Sequence, residues 1–265
     1  MQDVTEFPWT HVAITGASSG LGRALALASA VPGRRLYLAA RNAARLEETA
    51  EACRAAGASV STTLLDVRDA GAGAAWIDGM ERIDLLLASA GISGGIGGGT
   101  EPGAQVRAVF ETNLTGVLNT VLPAMARMAA QSPGADGIRG RIGVVASVVG
   151  LVAAPSAPAY SASKAAVLRW AQATDATQQR QGVRLHSVCP GFIRTPMTAP
   201  NRFPMPFMIS PKEAARRTLA GIATGRQHVA FPRRAYALFR LLAMLPPELM
   251  ARGSRAVPAK DVSAA

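Results

Sequence analysis

Tyr160 and Lys164 stand four residues apart in Tyr160-Ser161-Ala162-Ser163-Lys164, and on a helix that spacing puts both side chains on one face. A phenol with an ordinary pKa near ~10 is a poor proton acceptor at neutral pH, and an ammonium beside it favours the phenolate. The pair therefore reads as a proton donor and acceptor. Ser147 lies thirteen residues before Tyr160, at the end of an apolar run. In an open α/β sheet that position is the carboxyl edge of a strand, where ligands bind. The competing reading is an ordinary Tyr and Lys pair on a helix surface, and it weakens because Ser147 and a glycine-rich turn accompany the pair.

That turn is Thr15-Gly16-Ala17-Ser18-Ser19-Gly20-Leu21-Gly22. Gly16 permits a tight passage from strand to helix, Gly20 lets the backbone approach a pyrophosphate, and Gly22 lets helix and strand pack without an intervening side chain. The N-terminus of the helix beginning at Arg23-Ala24-Leu25 then faces the anion. Glycine is frequent here, 26 of 265 residues, so the triplet alone is weak; a strand before it and a helix after it make it a nucleotide site.

Two further positions bear on which nucleotide. The second strand ends Leu38-Ala39-Ala40-Arg41-Asn42, with no carboxylate to accept from a ribose 2′-hydroxyl and with Arg41 where a 2′-phosphate would sit. NADP(H) is the expected cofactor, NAD(H) remaining open; a solvated charge at a helix start is the alternative for Arg41. The third strand ends at Asp66-Val67, where the carboxylate is read either as an acceptor for the adenine amino group or as a helix N-cap.

Short apolar runs at 9–15, 35–40, 59–65, 83–88, 141–146, 184–188 and 228–231 alternate with helical stretches at 21–30, 43–56, 70–80, 103–130, 159–181 and 211–224. This alternation predicts a single α/β domain, a doubly wound Rossmann-type fold with a parallel sheet of about seven strands and helices on both faces. Hydrophobic residues make up 49% of the chain and aromatics 5%, so the core must be built from Ala, Val, Leu and Ile. Cys53 and Cys189 lie far apart, outside any metal-ligand spacing, and no metal is expected. No signal-type run opens the chain, and no apolar stretch reaches the roughly 20 residues that span a bilayer, so a reducing, cytoplasmic setting is expected. The net charge of +11 is concentrated late: residues 190–265 hold 12 Lys+Arg against 3 Asp+Glu, whereas residues 1–189 hold 16 against 14. Without a recognition motif this does not point to nucleic acid.

Taken together, the glycine turn, Ser147 and the Tyr160/Lys164 pair resemble the short-chain dehydrogenase/reductase superfamily, in the group with a Thr-Gly-x-x-x-Gly-x-Gly turn, over about residues 9–231. The resemblance implies hydride transfer between nicotinamide and a carbonyl or alcohol carbon. In that scheme Ser147 steadies the substrate oxygen, Tyr160 protonates it, and Lys164 binds the nicotinamide ribose and lowers the Tyr160 pKa. Asn113, in Glu111-Thr112-Asn113-Leu114-Thr115-Gly116, would complete a tetrad and hold a water relay; read from the residues alone, a helix kink with a satisfied amide is the lesser alternative. Cofactor contacts are implied at Ser18, Ser19, Leu21, Val67 and Ala90, and in Pro190-Gly191-Phe192-Ile193-Arg194-Thr195 at Pro190, Gly191, Ile193 and Thr195. One departure is Ala88-Ser89-Ala90-Gly91, where the family has Asn-Asn-Ala-Gly, which puts the rigidity of the sheet centre in question.

Residues 192–210 occupy the position of the family's substrate lid. Met197, Phe203, Met205, Phe207 and Met208 suggest contact with a hydrophobic ketone, aldehyde or alcohol, or simple packing of the lid onto the protein. The chain thus divides into a catalytic domain at 1–231 and a basic amphipathic extension at 232–265. The extension is open to three uses: peripheral contact with an anionic membrane, an oligomer interface, or a cover for the substrate pocket. A homo-oligomer is expected by resemblance. A non-catalytic NADP(H)-binding regulator of the same fold is the rival function, and a sugar epimerase or dehydratase is disfavoured by the glycine spacing.

Overall fold

The computed structural model describes residues 7–201, 203–246, 249 and 260. Seven strands, β1 (His11–Thr15), β2 (Arg35–Ala40), β3 (Ser59–Leu64), β4 (Leu85–Ala88), β5 (Gly140–Val145), β6 (Val183–Pro190) and β7 (His228–Phe231), form one parallel sheet in the order β3-β2-β1-β4-β5-β6-β7. The order reverses between β1 and β4. Crossovers from these two strands leave in opposite directions, so a crevice opens at their carboxyl ends, and this is where an open α/β sheet takes its ligand.

The helices are α1 (Gly20–Ser29), α2 (Ala43–Ala55), α3 (Ala70–Asp78), α4 (Gly103–Phe110), α5 (Gly116–Ala129), α6 (Pro158–Gln178), α7 (Pro211–Ala223) and α8 (Arg233–Leu242). Side chains of a strand alternate between faces, and two cores follow. Val12, Ile14, Leu36, Leu38, Leu85 and Leu87 face α1, α2 and α7 through Leu25, Leu46, Ala50, Leu219 and Ile222. Ala13, Tyr37, Leu86, Ile142 and Leu185 face α3, α5 and α6 through Ile77, Val121, Met128, Val167 and Leu168. Central β4 is buried throughout, as expected for a strand covered on both faces, whereas the edge strand β3 is Ser- and Thr-rich and largely half-exposed.

Buried polar groups tie the edges. The Arg34 guanidinium donates to the carbonyls of Trp9 (2.7 Å), Ser29 (2.9 Å) and Phe7 (2.9 Å). Asp84 accepts from the Thr10 and His11 amides and the Thr10 hydroxyl; burial alone would raise its pKa, but these donors and Arg82 hold the carboxyl below its ordinary value. Asp175, buried on α6, takes both Arg184 and the Leu185 amide.

The helix expected at 103–130 is broken. Between α4 and α5 the chain makes a wider π turn at Glu111–Thr115, because the Asn113 side chain turns inward to bond the backbone of Ile92. The basic extension, where it is described, forms α8 and packs back on the same unit: Phe239 meets Phe192 at 6.3 Å between ring centroids, and Tyr236 meets His228 at 5.1 Å. Among the described residues no helix is long and apolar enough to cross a membrane.

Candidate active site

A cavity of about 650 Å³ lies at the β1/β4 crevice, against the first turn of α1. Its floor depends on two glycines. Gly16 has φ +70°, and a Cβ there would sit 2.9 Å from the Ala90 Cα. A Cβ on Gly22 would sit 2.2 Å from the Gly16 carbonyl oxygen. Only hydrogen at these positions lets α1 begin so close to β1 and β4. No side chain caps α1, and Ser18, Ser19, Gly20 and Leu21 all line the cavity, so the amides of its first turn can receive an anion.

At one end, where β2 stops, the lining includes Arg41, Asn42 and Arg45. Asn42 caps the helix, its side chain accepting from the Arg45 amide at 2.9 Å; Arg41, one residue before that cap, is exposed and lines the cavity. Arg45, one turn further on, escaped the sequence reading, although its place in the first turn of the following helix was the available signal. Asp66 and Val67 also line this end. The N-cap alternative for Asp66 is set aside, since Asp69 caps α3 by accepting from the Ala72 amide. Asp66 instead forks with Arg68 at 2.6–3.0 Å, and that bonding holds its carboxyl below the ordinary range.

Ser89 and Ala90 donate their amides to the Thr15 hydroxyl oxygen, each at 3.1 Å. This link across β1 and β4 supplies locally what the missing Asn pair left in question: the end of β4 is fixed by a β1 side chain acting on its backbone.

At the other end Ser147, Tyr160 and Lys164 converge with Pro190, Gly191, Ile193 and Thr195. Ser147 lies two residues past the end of β5 and caps the short turn after it, accepting from the Val149 amide at 3.2 Å. Tyr160 and Lys164 occupy the first turns of α6. The buried Lys164 Nζ donates to the Val145 carbonyl at 2.8 Å and lies 5.9 Å from the centre of the Tyr160 ring. Burial lowers the Lys164 pKa from 10.5 to about 8. Burial also raises the Tyr160 pKa, and its hydrogen bond with Ser147 offsets this only in part. The chain by itself therefore holds Tyr160 as the neutral phenol, the proton-donor form, rather than as the lowered-pKa group the spacing alone suggested.

Asn113 does not line this cavity. It lies behind it, fully buried, with Oδ1 accepting from the Ile92 amide (2.8 Å) and Nδ2 donating to the Ile92 carbonyl (2.9 Å) and the Ser163 hydroxyl (3.1 Å). A Cβ on Gly91 would fall 3.1 Å from Asn113 Oδ1 and 3.5 Å from Lys164 Nζ, so Asn113 and Lys164 approach one another across Gly91. The satisfied-amide reading and the placement beside Lys164 hold together.

A second cavity, of about 460 Å³, opens beside the first and is walled mainly by apolar side chains. Ser147, Tyr160, Gly191, Met197 and Thr198 line both. The phenol and the serine thus stand where the two meet. Of the five lid side chains expected to face a substrate, Met197 and Phe203 line this cavity; Phe207 is exposed and Met205 and Met208 lie away from the lining. The lid is pinned by an Ile193 to Ile209 bridge, which turns the 204–208 stretch outward. Its place in the wall is taken by Val149, Val152, Phe192, Phe239, Leu242 and Leu245. The α8 residues among these were legible in the sequence only as an amphipathic tail.

The glycine cradle, the uncapped helix start and the flanking arginines fit a dinucleotide, and the cavity volume is of the size that small-molecule cofactor sites have. The family described as short chain dehydrogenase matches residues 10–204. A protein described as an uncharacterized oxidoreductase of Myxococcus xanthus is 32% identical over 256 residues, covering 95% of this chain and 99% of its own. Two solved structures share the fold. A short chain dehydrogenase/reductase of Burkholderia phymatum in complex with NAD has TM-score 0.78 and 25% identity, over 91% of this chain and 94% of its own. A short chain dehydrogenase of Burkholderia cenocepacia in complex with NADP has TM-score 0.76 and 29% identity, over 92% and 97%. With matches of this extent falling on a chain whose crevice is built as described, the protein belongs to the short-chain dehydrogenase/reductase superfamily and is an oxidoreductase acting on CH–OH groups with NAD(P) as acceptor.

Proposed function

We propose that the protein is an NADP(H)-dependent reductase of hydrophobic ketones or aldehydes, with Tyr160 as proton donor. The observation that carries the reading is the junction: Ser147 and Tyr160 line both the dinucleotide cavity and the apolar one, so a carbonyl entering from the apolar side meets them at the boundary. A bound nicotinamide dinucleotide supplies the hydride.

The chain's own groups do the rest. Ser147 and Tyr160 hydroxyls hold the substrate oxygen and orient its carbon toward the cofactor cavity. Tyr160 gives its proton to that oxygen, and the developing phenolate is favoured by Lys164, whose Nζ is held over the ring side by the Val145 carbonyl. Asn113 is a positioning residue, fixing the Ile92 backbone beside Lys164. Phosphate and ribose groups would be held by Gly16, Ser18, Ser19, Gly20, Leu21 and Gly22; Asp66, Val67 and Ala90 would bound the adenosine half; Pro190, Gly191, Ile193 and Thr195 would bound the nicotinamide half. Arg41 and Arg45, with no carboxylate at the end of β2, support a 2′-phosphate. Residues 1–231 serve as the catalytic domain, and the extension from 232 closes the substrate cavity through Phe239 and Leu242.

The test is NADPH consumption with ketones of graded chain length. Turnover should rise with chain length, and Tyr160→Phe should lose about 100-fold or more. Arg41→Ala should raise the KM for NADPH about tenfold or more, with little change for NADH. Tight NADPH binding without turnover of any carbonyl would overturn the reductase reading, and a preference for NADH would overturn the cofactor assignment.

A further inference from the structure

Lys260 is the only charged residue among the described residues that line the apolar cavity. Its Nζ hydrogen-bonds the buried Ser93 hydroxyl and lies 5.5 Å from the centre of the Tyr160 ring. Its carbonyl accepts from the Gly97 amide at 2.9 Å, which anchors the residue to the loop before α4. No carboxylate among the described residues pairs with it. An ammonium in such surroundings is costly unless an anion meets it, and a hydroxyl and an aromatic face are neutral partners. Most of the other wall residues, among them Val149, Phe192, Phe239 and Leu242, are apolar, and Ser156, Thr198 and Asn201 add only neutral polar groups.

Building on the reductase reading, we infer that Lys260 is a specificity residue for substrates that carry a carboxylate a few bonds from the reacting carbonyl: aliphatic oxo acids whose chain fills the apolar cavity. The carbonyl oxygen lies on Tyr160 and Ser147, and the carboxylate on Lys260, so the two polar ends of the substrate are both met near the ring of Tyr160. In the reaction the carbonyl carbon takes a hydride from reduced nicotinamide dinucleotide, the oxygen takes the Tyr160 proton, and a hydroxy acid and the oxidised dinucleotide result. The carboxylate is unchanged. Burial lowers the Lys260 pKa, and an anion beside the amine counters that effect, so the subsite is charged when it is filled.

The test uses the full chain with NADPH and pairs of 2-oxo-, 3-oxo- and 4-oxodecanoate with their methyl esters. For at least one spacing the acid should exceed its ester in kcat/KM by about tenfold or more, as a hydrogen-bonded charge pair provides. Lys260→Met should bring that ratio to about one, and Lys260→Arg should keep most of it, which separates lost charge from lost folding. Decanoate binding to the protein–NADP complex, followed by calorimetry, should weaken by a similar factor in Lys260→Met but not in Lys260→Arg. A ratio near one in the wild-type chain, or one that persists in Lys260→Met, overturns the proposal while leaving the reductase reading standing. Lys260-dependent decanoate binding without turnover of any ketone would instead uphold the anion subsite and remove the reductase reading.

Discussion

Replacing Lys164 by Met should make the protein more stable at neutral pH while removing its activity. Burial holds the amine at about 8 against an ordinary 10.5; at about 1.4 kcal/mol per unit this is a cost to the fold of ~3 kcal/mol. Below pH 8 the folded and unfolded chains both carry the proton and the whole cost is present. Between about 8 and 10.5 the folded chain releases its proton first, so wild-type stability rises with pH relative to the variant. Above 10.5 both states are neutral and the cost is gone. Methionine also forfeits the hydrogen bond to the Val145 carbonyl, worth about 1 kcal/mol. The variant should thus exceed the wild type by ~2 kcal/mol at pH 7 and fall below it by ~1 kcal/mol above pH 10.5. Urea unfolding of the cofactor-free chain at pH 7 and pH 10.5 reads this directly. A variant less stable than the wild type at pH 7, or a difference that does not move with pH, would refute the argument that Lys164 is held charged at the expense of the fold.

Other substitutions probe separate parts of the structure. Gly22→Ala places a methyl against the Gly16 carbonyl, 2.2 Å from it before any shift, so α1 must move by about 1 Å; NADPH affinity should drop by about 100-fold, and an unchanged dissociation constant in a fluorescence titration would contradict the cradle. Arg34→Met strips three buried carbonyls of their donor and should lower stability by about 2–4 kcal/mol; a urea midpoint equal to the wild type would show the guanidinium to be dispensable. Phe239→Ala opens the apolar cavity at the α8 wall, and the preferred ketone should lengthen; chain-length profiles that superimpose would mean that α8 does not bound the substrate.

Much of this was written in local sequence. The parallel sheet was legible because its inner strands are continuous apolar runs, as in Leu85–Ala88, and its helices carry their own punctuation, as in Pro211 after Ser210. The glycine turn and the Tyr160/Lys164 pair were legible for the same reason: their geometry is set within a few residues, by a strand-to-helix turn or by one turn of helix. What depends on neighbours distant in the chain was not. The π turn at Asn113 exists because Ile92 offers its backbone there, and the rigidity of the β4 end comes from Thr15 on β1. The raised pKa of Tyr160 is a property of burial, which spacing does not report. The lining of the apolar cavity was legible only in part: Met197 and Phe203 of the lid reach it while Phe207 is exposed, and α8 and Lys260 join it from the far end of the chain. Sequence by itself determined the glycine turn at the start of α1 and the placing of Tyr160 and Lys164 on one helix, because local backbone chemistry builds them. Only the tertiary structure decided what surrounds the apolar cavity, because side chains about 40 to 170 residues apart share that space, among them Ser93, Val149, Phe192 and Lys260, and no local pattern encodes their meeting.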